Sequence, residues 1–342
     1  MSRMSQLVAT ALGSWPGTDP AEAIRVIRGE LGSPHLPFLP QLPDRGVGAD
    51  AVGRTAALLV ELPVDVQPHG WRLVPRPGQD YRRAVSMLST DVNTLADIIG
   101  AEETAGGQLK LQLRGPWSMA ANLHLHHGER ALSDAGARRE ILESLTAGLV
   151  AHIGKVAEVS RGADIVIQFD EPEIERVLNG GIPTASGYRT LRAVPEQEVL
   201  SGWRFAAEAA RGAGAVEVAV SAPAAGLPLE KLDEAGLDAV GLSLDGLSPR
   251  QWEDIAAAVE SGRKLWAGVA ATPDAGGTLP EVSALVEEVL APWGRVGLPL
   301  QQLQQVRLTP SSALSRHAPR DAKRALTRLT QAADALNQTA AG

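Results

Sequence analysis

Short, continuously apolar runs alternate with longer helical patterns along all 342 residues, and no linker, repeat or low-complexity stretch interrupts them. Strands buried on both faces read as unbroken apolar runs, and parallel strands need a long, usually helical crossover between them. Together these observations predict an α/β fold: a single (β/α)8 barrel of the TIM type over residues 1–337, with a disordered tail at 338–342. A doubly wound open sheet is the alternative arrangement of the same elements. The length suits a barrel, which runs from about 200 to over 400 residues.

In chain order, the expected strands cover residues 7–12, 64–68, 109–113, 164–169, 216–221, 239–244, 265–270 and 306–308. Helical patterns fall at 20–31, 48–62, 80–100, 117–126, 134–161, 187–211, 229–235, 248–261, 279–290 and 319–337. Two helix starts are marked by capping chemistry. Asp19-Pro20 and Ser248-Pro249 each set a side-chain acceptor before a proline suited to the first helical turn.

Composition narrows the functional classes. The hydrophobic fraction of 44% belongs to a globular protein with a sizeable core, and the 4% of aromatics leaves packing to Ala, Leu and Val. A formal net charge of −8 argues against a nucleic-acid-binding protein, which would carry a basic face. No cysteine is present, so disulfides and every cysteine-containing zinc motif are excluded. Residues 1–6 are short and polar, the apolar run that begins at Leu7 is soon broken by Gly13 and Pro16 rather than forming a signal peptide, and no run approaches the roughly 20 residues that span a bilayer. A soluble cytoplasmic protein, with no membrane partner, is expected.

In a parallel barrel the functional site forms where strands end, so the residues at the strand exits carry the argument. The first exit, Gly13-Ser14-Trp15-Pro16-Gly17-Thr18, offers glycines and backbone N–H groups that can hold a small anion; as an ordinary Gly/Pro turn it would do nothing more. Arg114, at the end of the strand over 109–113, can pair with a substrate carboxylate or phosphate, or make a structural ion pair with Asp170 or Glu171. Asp170 and Glu171 follow Val166-Ile167-Gln168-Phe169, where two carboxylates are costly to bury unpaired. Side chains alternate along a strand, so one of the two faces the barrel mouth, where a cation or a ligand ammonium would offset its charge.

These same exits resemble the cobalamin-independent methionine synthase family, specifically its C-terminal catalytic barrel, a relative of uroporphyrinogen decarboxylase. Leu12-Gly13-Ser14-Trp15-Pro16-Gly17-Thr18 is similar to the family's opening Ile-Gly-Ser-Phe-Pro loop, and Gly115-Pro116-Trp117-Ser118 to its Gly-Pro-Val-Thr turn. Ile167-Gln168-Phe169-Asp170-Glu171-Pro172 is close to its Gln-Ile-Asp-Glu-Pro, and Leu308-Thr309-Pro310-Ser311-Ser312-Ala313-Leu314 resembles its Asn-Pro-Asp-Cys-Gly-Leu stretch. The four motifs occur in the family's order. The resemblance implies methyl transfer to the sulfur of homocysteine or a related thiol, with the opening loop contacting the substrate carboxylate and Asp170 holding its amine. It also implies a zinc ion that binds the thiol and lowers its pKa.

The family's zinc ligands are a His-x-Cys pair, a Glu and a second Cys, and the carry-over fails at these positions. Ser221 and Pro223 stand where His-x-Cys is expected, Ser312 where the last Cys belongs, and Asp245 nearest the Glu position. One carboxylate and two hydroxyls do not replace two thiolates and an imidazole. Two further metal readings rest on the residues alone. His124, His126 and His127 beside Glu129 could bind a metal if extended, or could sit at a helix end. Asp170 with Asp245 and waters could hold a weak hard cation such as Mg2+.

Gly46-Val47-Gly48 with Gly53 lacks the spacing and the preceding strand of a dinucleotide fingerprint. Arg72, Arg76, Arg82 and Arg83 could meet an anionic substrate tail or form a solvated face, and Arg316, Arg320, Lys323, Arg324 and Arg328 read as surface charge. Three functions stay open: a methyltransferase with altered chemistry, a catalytically silent barrel that binds a small molecule or a partner, and non-zinc acid–base chemistry like that of decarboxylase relatives, using Asp170 and Arg114. The methyl donor, folate or a methyl-carrier protein, is left open too.

Overall fold

In the computed structural model, which describes residues 6–103, 106–224, 227–273 and 277–341, parallel strands curl around a common axis with helices outside. The strands are β1 (Val8–Ala9), β4 (Gln108–Arg114), β5 (Asp164–Asp170), β6 (Ala215–Ser221), β7 (Ala239–Ser243), β8 (Lys264–Val269) and β9 (Val306–Pro310). They lie in the order β1-β9-β8-β7-β6-β5-β4. The architecture is the TIM-type α/β barrel.

The gap between β1 and β4 is closed by an irregular segment, residues 36–41. Leu36 N–H donates to Ala9 O at 3.0 Å, Leu39 N–H to Lys110 O at 3.0 Å, and Gln41 N–H to Gly13 O at 2.9 Å. On the return side Lys110 N–H donates to Pro37 O and Trp15 N–H to Gln41 O, both at 2.8 Å. Pro37 and Pro40 carry no N–H, so the segment donates to its neighbours through Leu36, Leu39 and Gln41.

The expected strand over 64–68 is corrected. It is β2 (Val64–Gln67), an antiparallel hairpin with β3 (Gly70–Leu73) in a separate two-stranded sheet. Its Val-Asp-Val-Gln alternation is that of a half-solvated hairpin strand, not of one buried on both faces.

The helices are α1 (Pro20–Glu30), α2 (Ala51–Ala56), α3 (Gln79–Ala101), α4 (Pro116–Asn122), α5 (Ala135–Val159), α6 (Ile174–Leu178), α7 (Glu196–Gly212), α8 (Pro249–Glu260), α9 (Val282–Arg295) and α10 (Pro319–Ala341). Asp19 Oδ1 accepts from Ala21 and Glu22 N–H at the head of α1, and Ser248 with Gln251 forms a reciprocal capping box on α8. The pattern over 229–235 yields only a single 3₁₀ turn, Leu229–Lys231. The tail expected from residue 338 is also corrected: α10 continues to Ala341. Asn337 exchanges two hydrogen bonds with the backbone of Leu7, Leu336 is fully buried and Ala340 packs on the core. Gly342, like residues 1–5, lies outside the described residues. Among the described residues no helix is long and apolar enough to cross a membrane.

The main apolar core lies between strands and helices, and a smaller cluster of Leu36, Val166, Ala219, Ala239 and Trp266 fills the barrel interior. Helix packing is tight at Gly148 of α5, where a Cβ would stand 1.6 Å from Leu58 O. Gly148→Ala is expected to destabilise the protein by about 3 kcal/mol, because backbone cannot yield as a side chain can. A shift of the urea midpoint with an unchanged slope would show it.

Candidate functional site at the barrel mouth

Strands β4 and β5 run in register, with Lys110 opposite Val166, Gln112 opposite Gln168 and Arg114 opposite Asp170. Alternation turns these residues inward, so polar groups climb the barrel axis in steps. At the bottom step Lys110 is fully buried, its Nζ 5.3 Å from the Phe38 ring centre and 5.5 Å from that of Trp266. Its Nζ donates to Ala11 O and, at 2.5 Å, to Gln168 Oε1. Gln168 Nε2 in turn donates to Asp170 Oδ1 at 2.6 Å and to Leu12 O at 3.0 Å. A continuous hydrogen-bonded chain therefore joins Lys110 to Asp170.

Burial dominates the electrostatics of this chain. It lowers the Lys110 pKa to about 7 against the opposing pull of Asp170, and Arg307 adds to the lowering. It raises the Asp170 pKa, which the Gln168 hydrogen bond and the charges of Arg114 and Lys110 hold back. Sequence reasoning did not single out Lys110, Gln112 or Gln168. Their signal was present: polar residues at every second position of otherwise apolar strands.

Arg114 ends β4 beside Asp170. Among the described residues its guanidinium makes no hydrogen bond or ion pair; its Nε is buried without a partner. The structural pairing considered for it with Asp170 or Glu171 is not formed within ion-pair distance. Gly13 sits against the same rim with φ +124°, and a Cβ there would lie 2.3 Å from the Gln112 side chain. Gln112 is itself held by Leu39 O at 2.7 Å. Ser14 bridges to Gln41 on the closing segment and is half-buried.

Glu171 lies elsewhere. Its carboxylate is fully buried behind the rim and accepts from Trp117 N–H at 3.2 Å, Ser118 N–H at 2.7 Å and Trp203 Nε1 at 3.1 Å. It thus satisfies the orphan donors at the head of α4. Burial pushes its pKa up to about 7 despite these bonds. Of the two adjacent carboxylates the sequence offers to the barrel mouth and to substrate, Glu171 is the one turned away, as an internal cap.

The other half of the rim carries hydroxyls. Ser221 stands opposite Asp170, and Ser243 and the backbone at Ser311 crowd Gly268. Ser312 Oγ lies 3.4 Å from Thr272 Oγ1. Pro223 is exposed, as is Asp245, whose backbone N–H donates to Ser243 Oγ at 3.2 Å. A zinc ion of the kind the resemblance implies does not fit this arc: its side-chain donors are neutral hydroxyls, and the one carboxylate at a ligand position points into solvent. Among the described residues no three His, Cys, Asp or Glu side chains gather as a metal site. His124 is buried with Nδ1 near Trp71 O, while His126 and His127 are exposed.

No protein-family model and no curated protein matches the chain. Among solved structures it is similar to a B12-independent methionine synthase from Shewanella sp. W3-18-1 bound to selenomethionine, at 15% identity and TM-score 0.48 over 72% of this chain and 67% of that one. It is also similar to a GH113 β-1,4-mannanase, at 11% identity and TM-score 0.48 over 98% of this chain and 99% of that one. A third, the GH20 β-N-acetylhexosaminidase from Streptomyces coelicolor A3(2), shows 12% identity and TM-score 0.34 over 73% of this chain and 65% of that one. The likeness is one of fold, shared by barrels of unlike chemistry.

Proposed function

We propose that the barrel mouth binds a small α-amino acid, with Arg114 taking the carboxylate, Asp170 the ammonium and the hydroxyl arc the side chain. The observation that carries this reading is the guanidinium of Arg114, which makes no hydrogen bond or ion pair among the described residues while standing opposite Asp170 on the neighbouring strand. A lone rim cation would suit any anion and a lone carboxylate any cation. Side by side they suit a zwitterion, which satisfies both desolvated groups at once. The Gly13-Ser14 loop adds backbone N–H groups to the carboxylate side. The cytoplasmic setting expected from the sequence fits a free amino acid as ligand.

Methyl transfer to homocysteine, the activity that the resemblance implies, needs a thiolate. A thiol of pKa about 8.5 is only a few per cent ionised at neutral pH without help, and the residues at the ligand positions do not supply a zinc ion to help it. Recognition of the amino acid is therefore the part of that activity these residues support. Calorimetric titration with L-methionine and L-homocysteine tests it, on protein purified without chelator or histidine tag and analysed for zinc. Saturable binding of one ligand per chain that survives EDTA is expected. Absence of binding, or binding only when zinc is added, would overturn the reading.

A further inference from the structure

Lys110 has no role in the ligand contacts proposed above, yet it lies at the centre of the barrel under Asp170. Its surroundings suit two protonation states. A neutral amine has two N–H groups, and two acceptors, Ala11 O and Gln168 Oε1, are in place. An ammonium has a third N–H, and what remains for it is the faces of Phe38 and Trp266.

The charges around Lys110 can be named element by element. On β5 there is Asp170, reached through Gln168; on its own β4 there is Arg114. On β9 Arg307 stands 5.3 Å from the Trp266 ring centre and donates to Glu217 Oε2 of β6 at 2.9 Å, where Lys264 of β8 also binds at 2.5 Å. Glu217 is thus occupied by two cations. Among the described residues Asp170 is the anion left to hold a charge on Lys110, and it is the same group assigned to the ligand ammonium.

We propose that Lys110 is the displaceable counter-ion of Asp170: when a ligand ammonium docks on Asp170, Lys110 releases its extra proton to solvent and stays as a neutral amine on Ala11 O and Gln168 Oε1. The proposal rests on the amino-acid reading of the mouth. One proton leaves, one positive charge arrives, and the buried charge around Gln168 is unchanged. Linkage makes the effect reciprocal: a ligand that lowers the lysine's affinity for a proton binds tighter where the lysine is already neutral.

Lysine occurs in this chain only at 110, 155, 231, 264 and 323, so carbon-13 labelling of lysine gives few Cε signals, and the one lost in Lys110→Arg is that of Lys110. If that variant does not fold, the Cε signal whose midpoint lies near 7 in the wild-type protein identifies it. The expected result is that this midpoint falls by about one unit on saturation with L-methionine, equivalent to about tenfold tighter binding at high pH than at low. The desamino analogue, 4-(methylthio)butanoate, leaves the midpoint in place. Asp170→Asn lowers it with no ligand added.

A Lys110 signal that stays at its charged position to pH 9, or that ignores bound L-methionine, would overturn the proposal and leave the binding reading intact. If calorimetry shows no L-methionine binding, the reading and the proposal fall together.

Discussion

Arg114→Ala and Asp170→Asn are each expected to weaken L-methionine binding by roughly thirty- to a hundredfold, about 2–3 kcal/mol. Truncating one partner of a desolvated charge pair costs about 2–5 kcal/mol, and the partial exposure of both residues puts them at the low end. The two losses separate by ligand. Removing Arg114 leaves the affinity for methioninol, which has no carboxylate, nearly unchanged. The Asp170 variant likewise spares 4-(methylthio)butanoate, which has no amine. Arg114→Lys restores charge without the two-pronged guanidinium and recovers only part of the affinity. Neither variant unfolds the barrel on this reading: Asn keeps the Oδ1 acceptor for Gln168, and among the described residues Arg114 makes no side-chain hydrogen bond to lose. Equal weakening toward all three ligands would mean that the site binds elsewhere on the rim.

The barrel was legible because strands buried on both faces, separated by capped helices, leave few other packings. Its closure was not. The segment from Leu36 to Gln41 is interrupted by Pro37 and Pro40, which read as loop, yet its carbonyls and remaining N–H groups complete the ring through Ala9, Gly13 and Lys110. The hairpin strand Val64–Gln67 was misplaced into the barrel because a short apolar–polar alternation was given the weight of a buried run.

At the site, alternation limits the Asp170-Glu171 pair to one inward side chain. Which of the two turns inward depends on the register of β5 against β6 and on where α4 begins, and neither is written locally. Lys110 was hidden for the opposite reason. One lysine in an apolar strand lowers its hydropathy little, and the groups that make the position special, Phe38, Gln168 and Trp266, come from three other parts of the chain. What the sequence shows directly is donor type: Ser221, Pro223 and Ser312 are what they are whatever the fold.

Glu171→Ala is expected to cost about 3–5 kcal/mol of stability, the largest effect of any single rim-adjacent substitution. Removing the carboxylate strands the N–H groups of Trp117 and Ser118 and the indole N–H of Trp203 in a site with no water access. Each unsatisfied buried donor costs about 1–3 kcal/mol, and partial collapse keeps the sum below three full penalties. Glu171→Gln separates packing from charge. It retains one acceptor oxygen, turns an NH2 toward the Ser118 N–H and no longer titrates.

The pH dependence then identifies the buried acid. Its pKa is raised to about 7 in the folded chain from 4.5, so the folded state holds the proton more tightly. Its contribution is complete below pH 4.5 and is lost as the pH rises through about 7, a fall of roughly 3 kcal/mol. Lys110, lowered to about 7 from 10.5, acts in the other window, adding relative stability as the pH rises from about 7 toward 10.5. In urea unfolding from pH 4 to 8, the stability of the wild type relative to Glu171→Gln should therefore fall as the pH rises from 4.5 through 7, a comparison in which the opposite contribution of His152, lowered by burial to about 3, and that of Asp170, raised by burial, cancel. A difference between wild type and variant that does not change with pH would place the titrating group elsewhere. The three N–H donors would then hold Glu171 ionised, as a helix head ordinarily holds a carboxylate.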